Sequence, residues 1–142
     1  MKWRSIKGNE KKPIRLVAHS HGGNVAILTA NLLGDKGIKV DTLVTIATPV
    51  REFEYSLNYK VGQHIQVYNE QDGVQVNGGS IWLLGEAKRK FPNAANIKVN
   101  LEGDYDPIEA HSAMHSSIKV WERYIKPVLA DFYVKPPRQV PE

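Results

Sequence analysis

The sequence predicts an α/β protein of three layers, in which a short, largely parallel sheet of about four strands is flanked by helices. Short continuous apolar runs alternate with longer stretches of helical period, the pattern of strands buried on both faces and joined by crossover helices. Prolines and glycines punctuate the runs, as at Pro13, Gly34 and Pro49, where they mark starts and stops. With 142 residues, 42% of them hydrophobic, the chain can build one core but not two full domains. The expected organisation is therefore a single domain over residues 1–133, followed by the proline-rich tail "VKPPRQVPE" at 134–142.

The elements follow in chain order. Ile14 to Ala18 is a buried strand started by Pro13. From Gly22 a helix runs to Gly34, apolar on most sides and so expected to be buried, with Gly34 placed to cap its end. Thr42 to Ala47 forms a second strand halted by Pro49, and Ile65 to Tyr68 a third followed by a polar turn. The stretch "SIWLLGEAKRKFPN" suggests a short helix ended at Pro92, and Ile97 to Leu101 a fourth strand. Ile118, Trp121, Ile125 and Leu129 stand at helical spacing as the core face of a last helix. Ser116 or Ser117 is its N-cap and Pro127 its kink.

Composition narrows the function. The net charge of +4 collects in Lys2, Arg4, Lys7, Lys11, Lys12 and Arg15 and in Lys88 to Lys90, without interleaved aromatics or a nucleic-acid motif. That is the pattern of a solvated basic face, so no nucleic-acid partner is expected. The absence of cysteine excludes disulfides, thiolate catalysis and Cys-based zinc sites. No apolar run is long enough for a transmembrane segment and no signal peptide is visible. A soluble, cytoplasmic chain is the expectation, without implying that Met1 is the natural start.

The chemistry concentrates in "RLVAHSHGGNVAI", Arg15 to Ile27. Ser20, between His19 and His21, ends a strand and precedes a glycine-initiated helix, the place where a sharp turn lifts a side chain out of the sheet. Small residues at Ala18 and Gly22 are expected to relieve the crowding, and the His21 N–H at the helix start faces the site of a developing oxyanion. An anion cradle is the rival reading, but neither G-K-[ST] nor G-x-G-x-x-G is present. The pair His19-x-His21 also fits a metal-dependent hydrolase; such sites need further ligands, which this chain is poorly spaced to supply, and no metal is expected.

A serine nucleophile needs a histidine to take its proton and a carboxylate to orient that histidine. Asp72, on the turn after the third strand, lies at the same sheet edge as Ser20. Glu70 competes with it, and Asp104 and Asp106 stand in reserve. His111 and His115 follow the fourth strand, and their four-residue spacing would also suit a metal pair on a helix. His64 begins a strand and is expected to be structural.

Three motifs carry a family resemblance. "AHSHGGN" resembles the G-x-S-x-G nucleophile elbow of the α/β-hydrolase superfamily, in the H-S-H-G-G form of esterases and lipases, with Ala18 in place of the first glycine. "VYNEQDGVQ" is similar to a Y-N-x-x-D-x-V-Q segment of that superfamily. "HSAMHSS" is similar to its H-x-x-[LM]-x-S-P pattern, with Met114 as loop anchor and Ser117 where proline is common. The resemblance implies a carboxylic ester hydrolase with the catalytic triad Ser20, Asp72 and His111. The His21 N–H would serve the oxyanion hole, and Ala18, His19, Gly22 and Gly23 would build the elbow. It implies no cofactor, and a small-molecule ester or lipid substrate of short to medium acyl chain. "SIWLLG", Ser80 to Gly85, would pack on the sheet or line the acyl site.

The resemblance spans residues 13–133 and covers only the C-terminal half of that fold, a truncated α/β-hydrolase. "MKWRSIKGNEKK" resembles the end of the helix before the nucleophile strand. The loop that would supply a second oxyanion N–H is not in the sequence, and the nucleophile strand is left with an open edge. A homodimer covering that edge is one expected arrangement. The alternative function is a non-catalytic hydrolase-derived fragment acting as an interaction or assembly module.

Overall fold

Strand β1 (Arg15–His19) opens the sheet, with β2 (Thr42–Ile46), β3 (Gln63–Tyr68) and β4 (Ala95–Lys98) beside it in sequential order and all parallel. The computed structural model describes residues 6–9, 12–51, 54–77 and 87–130. Register pairs Val17 with Val44, Val44 with Ile65 and Val67 with Ile97. The four expected strands are thus present, each displaced by no more than a few residues at its ends. The proline-rich tail and "SIWLLG" lie outside the described residues, as do Lys2, Arg4 and Lys11.

Helices cover both faces, which completes the three layers. Successive residues of β2 point to opposite sides. Leu43 packs with Ala26 and Ile27 of α1 (His21–Gly34), while Val44 and Ile46 pack with Met114, Val120 and Ile125 of the C-terminal helices. Those helices are α3 (Pro107–Ser116), α4 (Ile118–Val120), a π-helical turn (Trp121–Ile125) and α5 (Lys126–Ala130). A short α2 (Gly73–Asn77) follows β3.

Three expectations need correction. Helix α1 is not buried all round: Val25, Leu28 and Leu32 are exposed at 53%, 43% and 61%. They share one face at i, i+3 and i+7, and because β1 is an edge strand the helix has sheet on one side only. Gly34 is the last residue of α1 but not its cap, which is Asp35. A Cβ there would overlap the Tyr59 ring, whereas Gly37, at φ 68, makes the left-handed turn and Ile38 N–H returns to the Leu33 carbonyl. Ile118 and Trp121 do not face the core, being 75% and 40% exposed.

The π turn explains that last difference. Lys126 N–H donates to the Trp121 carbonyl, one residue further back than in an α-helix. Val120 and Ile125, five residues apart, therefore share the buried face in place of the α-spaced set. Pro127 lacks an N–H and crowds the carbonyl four residues before it, so the widened turn just upstream lets the helix continue through the proline. Ser117 is the N-cap of this segment. The expected helix ending at Pro92 is absent from its described part: Lys88 instead bridges Val50 in antiparallel sense.

Candidate active site

Ser20 is held by backbone geometry. Its N–H extends the β1–β2 ladder to the Ile46 carbonyl at 2.8 Å, and its own carbonyl accepts from Gly23 N–H at 2.9 Å. Between these two bonds the chain turns through φ 55, ψ −136, a left-handed φ that a residue with a side chain adopts only at a cost of about 1–3 kcal/mol. A Cβ on Gly22 would meet the Ala18 Cβ at 3.9 Å, an ordinary contact. Crowding lies instead at Gly23, where a Cβ would overlap the Thr48 side chain. The tight position of the elbow is thus one residue later than the sequence suggests.

The other two partners arrive from the C-terminal ends of β3 and β4. Asp72 ends the turn after β3 and is fully buried. One carboxylate oxygen accepts from the Gln75 N–H in the first turn of α2 at 2.8 Å. Its other oxygen lies 2.8 Å from His111 Nδ1, and His111 Nε2 lies 2.9 Å from Ser20 Oγ. A carboxylate cannot donate, so Nδ1 carries the proton and Nε2 is left to accept from the serine hydroxyl. His111 sits on α3, which starts with a capping box: Asp106 accepts from the Ile108 and Glu109 N–H groups, and Glu109 reaches back to the Asp106 N–H. Met114, fully buried three residues after His111, fastens α3 to the sheet.

The remaining expected residues are not members of this relay, although His19 touches His111. Glu70 pairs with Lys98 at 2.8 Å on the surface, and that ammonium lowers its carboxyl below the usual range. Asp106 is a helix cap. His64, buried in β3 beside Thr45 and Phe91, is pushed down to about 4 by burial. His115 packs its ring 4.2 Å from that of His19. His19 in turn lies 4.6 Å from the His111 ring and places Nε2 3.1 Å from the His111 carbonyl. Burial, then the neighbouring imidazoles of His111 and His115, lower His19 to about 4. The His21 ring meets Tyr55 edge-on at 5.8 Å. Among the described residues no group of three His, Asp or Glu side chains is arranged to hold a metal ion.

A polar network beneath Asp72 was not foreseen in the sequence. The Arg89 guanidinium, expected to be solvated, donates to the carbonyls of Asn69, Glu70 and Asp72 at 3.2, 3.1 and 2.8 Å. The buried amides of Gln66 and Gln75 each donate to both the Thr48 and the Arg89 carbonyls. These bonds tie the acid turn to the end of β2 and to the segment before β4. One signal was available: Gln66 stands between Ile65 and Val67 in a buried strand, and a buried amide must be spent on hydrogen bonds.

No described helix is long and apolar enough to cross a membrane. A scan against protein-family models found no match, and searches of curated proteins and of solved structures found none either.

Proposed function

We propose that this chain is a serine hydrolase of carboxylic esters, of the α/β-hydrolase type, acting through an acyl-enzyme on Ser20. One observation carries the reading: Ser20 Oγ, His111 and the buried Asp72 carboxylate form a continuous chain of hydrogen bonds of 2.9 and 2.8 Å. They do so from residues up to 91 positions apart, in the donor–acceptor order that a general base and its orienting acid require.

The chemistry follows from the donor pattern. His111 Nε2 takes the Ser20 proton as Oγ bonds to the ester carbonyl carbon, and the carbonyl oxygen becomes an oxyanion. His21 is the first residue of α1, so its N–H has no acceptor within the helix and, with the positive helix end, would be available to that oxygen. Asp72, accepting from Nδ1–H, stabilises the imidazolium. The imidazolium returns its proton to the alkoxide as the ester C–O bond breaks. Water, deprotonated by His111, then attacks the acyl carbon and releases the acid and Ser20. No step draws on a cofactor. The substrate proposed is a small ester or lipid of short to medium acyl chain.

Labelling with a fluorophosphonate, followed by mapping of the adduct, tests this. The expected result is modification at Ser20 and loss of p-nitrophenyl butyrate turnover in Ser20→Ala; unlabelled Ser20, or turnover that survives the substitution, refutes it. A second reading, assembly with another copy of the chain, is favoured by the exposed Val17 on edge strand β1 and the Val25, Leu28 and Leu32 face of α1. Sedimentation equilibrium at micromolar concentration tests it, and a monomer is the result against it.

A further inference from the structure

We infer that His19 is a positioning residue for the His111 imidazole, tying the end of β1 to α3 through a hydrogen bond to the His111 main chain. The inference rests on the Ser20–His111–Asp72 relay proposed above and adds to it a residue that touches no reacting atom.

The geometry is specific. His19 and Ser20 are consecutive, yet they address two different parts of the same residue: Ser20 Oγ meets the His111 ring at 2.9 Å, and His19 Nε2 meets the His111 carbonyl at 3.1 Å. A carbonyl only accepts, so His19 Nε2 is the donor. That carbonyl lies inside α3, where it also faces the N–H four residues on, so His19 restrains the helix backbone at the residue that bears the base. The His19 ring is packed between those of His111 and His115, at 4.6 and 4.2 Å, which leaves it little rotational freedom.

The need for such a tie arises during turnover. The Ser20–His111 hydrogen bond holds only while Oγ carries its proton. Once Oγ has bonded to the carbonyl carbon and Nε2 has taken its proton, that O–H···N link between β1 and α3 is gone, while the imidazolium must now aim at the leaving oxygen of the tetrahedral intermediate. The His19 bond does not involve the transferred proton and persists through both states. Burial and its two imidazole neighbours keep His19 neutral, down to about 4, so it adds no second positive charge beside the imidazolium. Displacements of about 1 Å at a reacting group cost up to about a hundredfold in rate, the scale at which a lost tie would be felt.

The test compares His19→Phe, which keeps a ring between His111 and His115 and removes the donor, with His19→Gln, which restores an amide donor. Three quantities are read: p-nitrophenyl butyrate turnover, the rate of fluorophosphonate labelling, and the downfield proton resonance of His111 Nδ1–H. In His19→Phe, kcat is expected to fall about tenfold or more with KM little changed, labelling to slow in proportion, and the Nδ1–H resonance to broaden or vanish. His19→Gln is expected to recover most of each, with both variants folded by circular dichroism. A folded His19→Phe with unchanged kcat and an intact resonance overturns the inference, as does a His19→Gln no better than His19→Phe. If His19→Phe does not fold, His19→Gln decides: near-native kcat and resonance support the tie, and loss of both overturns it. Wild-type protein that neither labels nor hydrolyses esters refutes the hydrolase reading alone, and the resonance comparison then still decides whether His19 sets the place of His111.

Discussion

Acid should destabilise this protein through His64. The side chain is 9% exposed in the central strand β3, with Nε2 3.1 Å from Thr45 Oγ1 and its ring 4.7 Å from Phe91. Burial pushes its pKa from 6.5 down to about 4, while in the unfolded chain the imidazole titrates near 6.5. Between these values the unfolded state binds more protons, so stability rises with pH across the window and is lost as pH falls through it. Integrating from pH 7.5 to 4.5 gives a loss of about 2.5 kcal/mol from this group. His19 acts in the same direction, with a smaller share because it is nearer solvent. Urea denaturation followed by circular dichroism at the two pH values measures the total. With an m-value of about 1.5 kcal/mol/M, His64 alone should lower the midpoint by about 1.7 M. His64→Gln cannot titrate and should remove most of that pH dependence. An equal drop in His64→Gln and wild type would refute the assignment.

Other expectations concern the site and its frame. Asp72→Asn keeps an oxygen for the Gln75 N–H but presents no carboxylate to His111, and ester turnover should fall by about 10³–10⁴ with little change in melting temperature. Gly23→Ala should destabilise the fold by about 1–3 kcal/mol through overlap with Thr48, and Thr48→Ala in the same chain, which removes the Oγ1 and Cγ2 overlaps but keeps the Cβ, should restore part of it; thermal melts of the single and double variants decide. Arg89→Met removes three donors from the acid turn. It should cost about 1.5–3 kcal/mol and lower kcat, whereas Lys90→Met beside it should change neither.

The fold was legible because its central strands, β2 and β3, are buried on both faces, whereas edge strand β1, expected to be buried, exposes Arg15 and Val17. Leu43, Val44 and Ile46 of β2 and Ile65, Val67 and Tyr68 of β3 make the runs apolar enough to read despite the buried Thr45 and Gln66, and the prolines and glycines around them act locally. Ser20, Asp72 and His111 were likewise visible because each follows a strand of a parallel sheet, whose C-terminal ends share one edge. What escaped depends on tertiary context. Arg89 looks like its neighbours Lys88 and Lys90 until the Asn69–Asp72 turn folds beneath it. Helix α3 was not foreseen as a helix, although Asp106, Pro107 and Glu109 spell its capping box. The π turn cannot be read from apolar spacing, since Ile118, Trp121 and Ile125 fit an ordinary helix and only packing on the sheet selects Val120 and Ile125 instead.

The conformation at Ser20 has a consequence for how such a chain could change over generations. At φ 55 glycine is at ease and serine is not, so Ser20→Gly would relieve about 1–3 kcal/mol of strain against about 0.5–1 kcal/mol for the freer unfolded chain. A lineage with no use for the hydroxyl would have, in one substitution, a more stable protein. On the proposed function, the serine therefore sits at a position where selection for robustness and selection for chemistry pull in opposite directions.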